Sequence, residues 1–298
     1  MVADKLKVIL NPYGGRVSTA AKVVLVEQGL RQAGLDYELE VTARRGHGIE
    51  LARQAACNGW PVVVAVGGDG TVSEVANGLL QAAGEAEAGI LGIIPIGTAN
   101  DLAHMLDIPL ETTAACQRLA AAATRLIDVG LVNGHYFVNN SAVGLEPLVT
   151  VAHDRMRWVN GNARYILAAL QALSRAKPWP MRLSWGDSAF DGPINLVSVG
   201  NNNRTGGSFY MTPQARPDDG LLDFIYATGL SRWQMLRLLP QTFTGRHIQH
   251  PQVVYRQTTA LSIIAFSPTH IQADGEIIDD NATEINYHII PKKLRVIT

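Results

Sequence analysis

The chain has 298 residues, of which 47% are apolar and 17% are charged, so it can bury a large core and is not disordered. Its 25 basic and 26 acidic residues give a net charge of -1, which argues against a nucleic-acid partner, because domains held on nucleic acid by bulk charge are strongly basic. At about 150 residues per domain, the length favours two domains.

The cysteine pattern and the apolar runs indicate where the protein works. Cys57 and Cys116 lie far apart and fit no zinc-binding spacing, which excludes a disulfide framework and favours a reducing cytosol. No signal-peptide segment precedes the first strand-like run, and no apolar run reaches the roughly 20 residues that a membrane-spanning helix needs. We therefore expect a cytoplasmic protein that meets a membrane only from its surface.

The first 130 residues alternate short β-branched runs with helix-like segments. The predicted strands are 7–10, 37–41, 61–66, 90–96 and 125–129. The predicted helices are 17–33, 48–58, 72–83, 99–105 and 112–123. This alternation predicts an α/β domain with a parallel sheet covered on both faces, in which ligands bind beyond the carboxyl ends of the strands.

The remaining residues predict a mainly antiparallel β domain. Its predicted strands are 135–140, 181–185, 193–200, 220–226, 253–257, 261–264, 270–273 and 284–290. Two predicted helices, 163–176 and 232–239, interrupt them. The charge divides with the pattern, because residues 1–130 hold ten basic and fourteen acidic residues, whereas residues 131–298 hold fifteen basic and twelve acidic ones.

A glycine-rich motif, residues 66–71 (Val-Gly-Gly-Asp-Gly-Thr), lies between a predicted strand and a predicted helix. Glycines let the backbone pass close to a ligand, and the free N–H groups of a helix N-terminus suit a phosphate. Asp69 does not bind phosphate itself but can hold a metal or water beside it. A tight strand-to-helix turn, with the aspartate near the helix start, explains the same motif structurally.

A second loop, residues 97–101 (Gly-Thr-Ala-Asn-Asp), also follows an apolar strand and opens a helix. We predict Thr98 as the N-cap and Asp101 in the first turn, which is enough for a purely structural role. Two such loops at neighbouring strand ends would instead frame one nucleotide site. A third segment, residues 11–15, is either a turn or another loop that faces phosphate.

Together, residues 67–71, 77–78 and 95–101 resemble the diacylglycerol kinase catalytic-domain family, in particular its bacterial YegS-like soluble lipid kinases. The resemblance continues through 11–12, Thr42, 128–130, 213–223, 274–276 and 291–295, and so spans nearly the whole chain. Gly-Gly-Asp-Gly-Thr is shared with NAD kinases and resembles a phosphofructokinase loop. Gly-Thr-Ala-Asn-Asp and the late Asp-Gly-Glu are the motifs that indicate lipid kinases.

The resemblance implies a nucleotide-binding α/β domain like those of NAD kinase and phosphofructokinase, over residues 1–130 with the tail 291–298. It also implies a β-sandwich lipid-substrate domain over 131–290, with the active site between the two. ATP is the implied phosphate donor and Mg²⁺ the implied metal. The implied nucleotide-binding positions are Thr42, Gly67, Gly68, Asp69, Gly70, Thr71, Val72, Ser73, Glu74, Thr98, Asn100 and Asp101.

The resemblance also implies metal and catalytic residues. Asp69, Asp101 and Asp128 match acidic residues that organise magnesium and water around the phosphates. Arg216, Asp219 and Leu221 match a second, structural magnesium site made of one carboxylate and main-chain carbonyls. The catalytic residues would be Asp274, Glu276 and Asp69.

The residues themselves leave the base open. Asp274-Gly275 is a strong hairpin signal and 217–220 is a plain turn by composition. Alternate positions on a strand face the same way, so Asp274 and Glu276 could both reach one site, and either carboxylate could take the proton from a lipid hydroxyl.

We expect an ATP-dependent lipid kinase, with a diacylglycerol-like acceptor as the first candidate. Residues 141–146 and 206–208 depart from the family pattern, which leaves the acceptor lipid open. The alternatives are an NAD kinase or other small-molecule kinase, and a nucleotide-responsive lipid-binding protein without turnover. The oligomeric state is open, a homodimer included.

A lipid substrate implies work at the inner face of a membrane. Basic and aromatic residues in 151–180 and 231–239 suit an anionic lipid surface, although an ordinary amphipathic helix would show the same composition.

Overall fold

The computed structural model describes residues 5–13, 19–156 and 162–298. The chain folds into two compact units. Unit 1 comprises Met1–Val129 and Pro291–Thr298, and unit 2 comprises Gly130–Ile290. The chain therefore leaves unit 1 once and returns to it with its C-terminal segment.

Unit 1 is built on a parallel sheet. Its elements are β1 (Leu6–Leu10), α1 (Thr19–Gln32), β2 (Tyr37–Val41), α2 (His47–Cys57), β3 (Val62–Gly67), α3 (Asp69–Ala83), β4 (Ile90–Pro95), α4 (Asp101–Met105) and α5 (Thr112–Ala121). Strand β1 pairs in parallel with β2 and β3, and β3 pairs in parallel with β4. This confirms the predicted strand-and-helix alternation; the first residues of predicted helix 17–33 lie outside the described residues.

Both faces of this sheet are covered, because its central strands are almost entirely apolar; the exception, Lys7 of β1, is paired with Glu38 and Glu40 of β2. Every residue of β1 and β3 is buried. Leu6, Val8 and Leu10 pack in one cluster with Val26 of α1 and Leu119 of α5. The residues between them point to the opposite face, where α2 and α3 contact β1 and β3.

Unit 2 is built mainly from antiparallel strands. Its strands are β5 (Thr124–Val132), β6 (His135–Phe137), β7 (Asn140–Gly144), β8 (Trp179–Trp185), β9 (Ser188–Gly200), β10 (Leu222–Thr228), β11 (Val253–Thr258), β12 (Ala260–Ala273) and β13 (Glu276–Ile297). Strand β5 begins in unit 1 and β13 ends there. Antiparallel pairs join β11 to β10, β10 to β9, β9 to β7, β7 to β12 and β12 to β13, as the sequence predicted.

The helices of unit 2 are α6 (Leu145–Arg155), α7 (Asn162–Arg175) and α8 (Arg232–Thr242). They share an apolar cluster with β10, to which Leu145, Leu173, Ile225 and Met235 contribute. No helix in the described ranges is long and apolar enough to cross a membrane.

The prediction of only two helices in this half was wrong, because it missed α6. Pro147 is a residue that usually argues against a helix, but here it lies in the first turn of α6. A helix tolerates proline there, because the N–H groups of the first turn have no partner inside the helix.

Two predicted strands, 261–264 and 270–273, are parts of the single strand β12. The pairing of β12 with β13 shifts its register between Ile264 and Thr269, around Pro268. Proline has no N–H for the ladder, so it interrupts the sequence pattern, but the strand absorbs it as an irregularity. Conversely, predicted strand 135–140 is divided into β6 and β7.

Candidate active site

The two glycine loops of unit 1 lie side by side at the ends of neighbouring strands. In the β3–β4 pair Gly67 lies opposite Pro95, and Ile96 N donates to Gly67 O at 2.9 Å just beyond it. A Cβ atom placed on Gly97 would lie 2.3 Å from the Cα of Gly68, much closer than any real contact. Gly97 therefore requires glycine, whereas a Cβ atom on Gly68 would lie at a tight 3.1 Å from the Cα of Gly97. The close approach joins the two loops into one backbone surface.

Asp69 ties these loops together. Helix α3 begins at Asp69, three residues earlier than predicted, and Gly68 is its N-cap. The Asp69 carboxylate accepts a hydrogen bond from Asp101 N at 2.6 Å, in the first turn of α4. Burial raises the pKa of Asp69, and the surrounding backbone N–H groups act in the opposite direction. The aspartate is thus a partly buried acid that holds the second loop against the first.

The predicted N-cap Thr98 is wrong, because α4 starts two residues later than the predicted helix and Asn100 occupies the cap position. Asn100 has the left-handed φ of 50° and closes the loop on itself. Its Oδ1 accepts from Gly97 N and its Nδ2 donates to Gly97 O, both at 3.1 Å. Thr98 is consequently exposed at the loop tip.

A pocket of about 240 Å³ opens over these loops. It is lined by Asn11, Tyr13, Lys22, Gly67, Gly68, Gly70, Thr71, Ile96, Gly97 and Thr98. Asn11 Nδ2 donates to Thr71 Oγ1 at 3.0 Å, so the end of β1 is fastened to the start of α3. The structure therefore brings three predicted loops together, although Gly14 and Gly15 lie outside the described residues.

Sequence reasoning missed Lys22, a cation in the wall of this pocket. It lies in the first turns of α1, is buried, and donates from Nζ to Pro12 O at 3.1 Å. A lysine among the apolar residues of a helix that covers a sheet was the available signal, since buried lysines are rare without a partner. An ammonium group in this wall makes the pocket suitable for an anion.

Other predicted nucleotide positions are not among the described lining residues of the pocket. Thr42, just past β2, is buried and donates its N–H to Leu10 O at 2.9 Å. Val72 and Ser73 are buried in α3. The Glu74 carboxylate accepts from Gly46 N and Gly48 N, at 2.8 and 2.9 Å, and so caps the start of α2.

The acidic residues expected around magnesium all lie in unit 1, where Asp101 and Asp128 are buried and Asp69 is partly buried. Asp128, on β5, accepts a hydrogen bond from Lys292 N at 2.7 Å and so anchors the returning C-terminal segment. Within the ranges that the structure describes, no three His, Cys, Asp or Glu side chains form a group that could hold a metal ion. Asp69, Asp101 and Asp128 are therefore not a direct three-carboxylate ligand set.

Asp274, in unit 2, is held by the backbone. It is buried, and its carboxylate accepts hydrogen bonds from Val138 N, Asn139 N and Asn140 N at 3.0, 2.9 and 3.1 Å. Asp274 N donates in turn to Asn140 O at 2.8 Å. This side chain fixes the turn between β6 and β7.

Glu276 is in a different environment, so the expectation that both carboxylates share one strand face was wrong. Asp274 and Gly275 have φ values of 47° and 84° and form the two-residue turn between β12 and β13, as the hairpin signal indicated. Glu276 is the first residue of β13 and is only partly buried. Burial lowers the pKa of nearby His135, and the charge of Glu276 acts against that shift.

The predicted second metal site lies in the turn before β10. Arg216 and Asp219 are exposed, Leu221 is partly buried, and Asp219 Oδ1 accepts from Leu221 N at 3.0 Å. Burial raises the pKa of Asp223, and the charge of Asp219 adds to the shift. Two carboxylates therefore lie close together at this turn.

Comparison with known proteins identifies the family. The profile of the diacylglycerol kinase catalytic domain matches residues 5–132, and that of the YegS C-terminal NAD kinase beta sandwich-like domain matches residues 139–298. A protein of Pseudomonas aeruginosa strain UCBPP-PA14, named a probable lipid kinase YegS-like, is 33% identical over 98% of this chain and 94% of its own. This chain belongs to the diacylglycerol kinase catalytic-domain family.

Other family members agree in sequence and in fold. The diacylglycerol kinase of Bacillus subtilis strain 168 is 28% identical, over 91% of this chain and 89% of its own. The crystal structure of a diacylglycerol kinase from Bacillus anthracis strain Sterne has a TM-score of 0.75 at 20% identity, and covers 99% of this chain and 96% of that one. The predicted resemblance is confirmed: the chain is a lipid kinase, and ATP is its phosphate donor.

Proposed function

We propose that this lipid kinase transfers the γ-phosphate of ATP to the hydroxyl of a diacylglycerol-like lipid. The observation that carries the proposal is the pocket of unit 1, where two glycine loops, a helix N-terminus and a buried lysine meet. This combination suits a polyphosphate, and the family supplies the lipid acceptor.

In the proposed complex the ATP phosphates lie against the backbone of Gly68 and Gly97, which carry no side chain to keep them away. The first N–H groups of α3 have no partner inside that helix and suit the phosphate oxygens. The Lys22 ammonium adds a positive charge in the same pocket wall. The positions that match the family's ATP-binding residues, such as Thr42 and Thr98, complete the nucleotide site.

The residues beside the glycine loops fit a magnesium–phosphate group. The Asp69 carboxylate accepts a hydrogen bond from the backbone N–H of Asp101, so these two residues are neighbours. Their carboxylates offer the hard oxygen ligands that magnesium prefers. One or two carboxylates suffice, because magnesium in kinases keeps several waters and shares the phosphate oxygens. When bound, magnesium would neutralise charge on the phosphates, while Asp69 also keeps the second loop in place. At the turn before β10, Asp219 and the carbonyls of Arg216 and Leu221 fit a structural ion, since Asp223 adds a second nearby carboxylate.

We assign the general base to Glu276 rather than Asp274. Both oxygens of Asp274 accept backbone N–H bonds, and these bonds would have to weaken if the carboxylate took a proton. Glu276, at the first position of β13, is partly exposed, so its carboxylate is more accessible to a substrate hydroxyl than the buried Asp274 carboxylate. In the proposed step the lipid oxygen forms its bond to the γ-phosphorus, its proton passes to the Glu276 carboxylate, and ADP leaves with the former bridging oxygen.

The acceptor is tested with labelled ATP, Mg²⁺ and a panel of diacylglycerol, phosphatidylglycerol, ceramide, sphingosine and NAD. The proposal predicts a labelled lipid, with diacylglycerol as the best acceptor. Label on NAD would make the protein a small-molecule kinase, and binding of ATP and lipid without transfer would make it a binding protein. We further propose that it works in the cytoplasm at the inner face of the membrane.

A further inference from the structure

Helix α7 has apolar side chains on two faces. Its inner face packs Ala172 and Leu173 into the cluster shared with β10 and α8. Ile166, Leu167 and Leu170 are 37%, 41% and 39% exposed. Leu170 lies three residues after Leu167 and four after Ile166, which places the three side chains on one side of the helix. A helix on the surface of a globular protein normally presents polar residues there, so this outer stripe lacks an ordinary explanation.

Helix α8 adds an exposed tryptophan next to α7. The two helices meet where Arg232 Nε donates to Ala176 O at 3.3 Å, just past the end of α7. Met235 is buried in the shared cluster, whereas Trp233 is 74% exposed. Tryptophan is enriched where protein meets the membrane–water interface, because its ring suits the headgroup level.

The charge around these helices is of one sign. No Asp or Glu occurs between residues 155 and 186, or between residues 224 and 273. Arg155, Lys177, Arg232 and Arg237 are exposed in these two stretches. Helices that expose both apolar side chains and cations are complementary to an anionic lipid surface. A symmetric dimer through the same face would bring these like charges together, which is unfavourable.

We propose that this face docks the enzyme on an anionic bilayer. The α7–α8 surface consists of Ile166, Leu167, Leu170, Arg232, Trp233 and Arg237. The choice of a membrane rests on the proposed function, because a lipid acceptor brings the enzyme to a bilayer. Arg157 and Trp158, which the sequence had suggested for docking, lie outside the described residues.

The test uses the full-length protein without ATP, in cosedimentation with vesicles of phosphatidylcholine alone or mixed with phosphatidylglycerol. Leu167→Ser/Leu170→Ser is expected to weaken binding to the mixed vesicles about tenfold, because the buried apolar area is lost. The control Val24→Ser/Leu25→Ser changes two residues of α1 that are 52% and 45% exposed, and should bind like the wild type. Arg232→Glu/Arg237→Glu should lose the preference for anionic vesicles.

Further measurements separate the outcomes. Thermal unfolding of the leucine variant should match the wild type, because the replaced side chains are largely exposed. With a dispersed short-chain diacylglycerol the variant should keep its kinase activity, whereas with vesicles it should lose most of it. Wild-type vesicle binding by the leucine variant would overturn the proposal, and so would a wild-type dimer that this variant dissociates. Leucine-dependent vesicle binding without any kinase activity would refute the proposed function and leave the docking surface standing.

Discussion

Asp274 and Glu276 are two residues apart, yet the structure predicts opposite responses to substitution. Asp274→Asn keeps one acceptor oxygen and turns an NH2 group toward the N–H donors of residues 138–140. At least one hydrogen bond to a charged acceptor is lost, worth about 1.5–3 kcal/mol, and a buried donor loses its partner at a similar cost. Asp274→Asn should therefore lower the free energy of unfolding by about 3–6 kcal/mol.

Glu276→Gln should leave the stability nearly unchanged and lower the activity. The glutamine has nearly the same shape at the start of β13, so the free energy of unfolding should change by less than about 1 kcal/mol. Because the amide cannot accept the proton, kcat should fall about 100-fold or more, within the usual range for a general base. Urea unfolding followed by circular dichroism and initial rates of phosphate transfer measure the two effects separately.

Asp280→Asn is the matched control, since it changes an exposed carboxylate of the same strand and should alter neither quantity. The assignment would be refuted if Asp274→Asn unfolded like the wild type but lost its activity. Full activity of Glu276→Gln would contradict it equally. The first result would make Asp274 the base and its three backbone contacts secondary, and the second would remove Glu276 from that role.

Further substitutions test the pocket and the partly buried acid Glu146. Gly97→Ala places a Cβ atom 2.3 Å from the Cα of Gly68, so the KM for ATP should rise at least about tenfold. The control Gly70→Ala should raise this KM less, because its Cβ atom would have no other atom within 4 Å. Lys22→Met keeps the aliphatic stem but removes the charge, so calorimetric ATP affinity should fall about tenfold while Lys22→Arg retains part of it. Burial raises the pKa of Glu146 to about 7, above its ordinary value of 4.5, so the folded protein holds a proton that the unfolded chain releases between these values. The contribution of Glu146 to the free energy of unfolding should thus be fully present at pH 4.5 and fall by about 3 kcal/mol as the pH rises to about 7. In Glu146→Gln this fall in the free energy of unfolding should be absent over the same pH range.

The sequence predicted the elements whose cause is local. Continuous apolar runs predicted the parallel strands of unit 1, and Asp274-Gly275 predicted its hairpin, because both signals depend only on neighbouring residues. Pro147 and Pro268 misled the prediction, since their effect depends on whether they lie in a first helical turn or at a register shift.

The parts of the site that escaped the sequence depend on contacts between distant segments. Asp69 binds the backbone at Asp101, 32 residues away, and Asp274 binds Asn139, 135 residues away. Neither contact has a periodicity or spacing that a single sequence could reveal. Lys22 joins the pocket only because α1 packs over β1, which is why it looked like an ordinary helix residue.

The most direct test of the central claim is a single-turnover experiment with γ-labelled ATP, Mg²⁺ and diacylglycerol vesicles, comparing the wild type with Glu276→Gln. We predict that both proteins bind ATP equally well, but that only the wild type transfers the label to the lipid at an appreciable rate. Label that appears only as free phosphate, or equal labelling of the lipid by both proteins, would contradict the account.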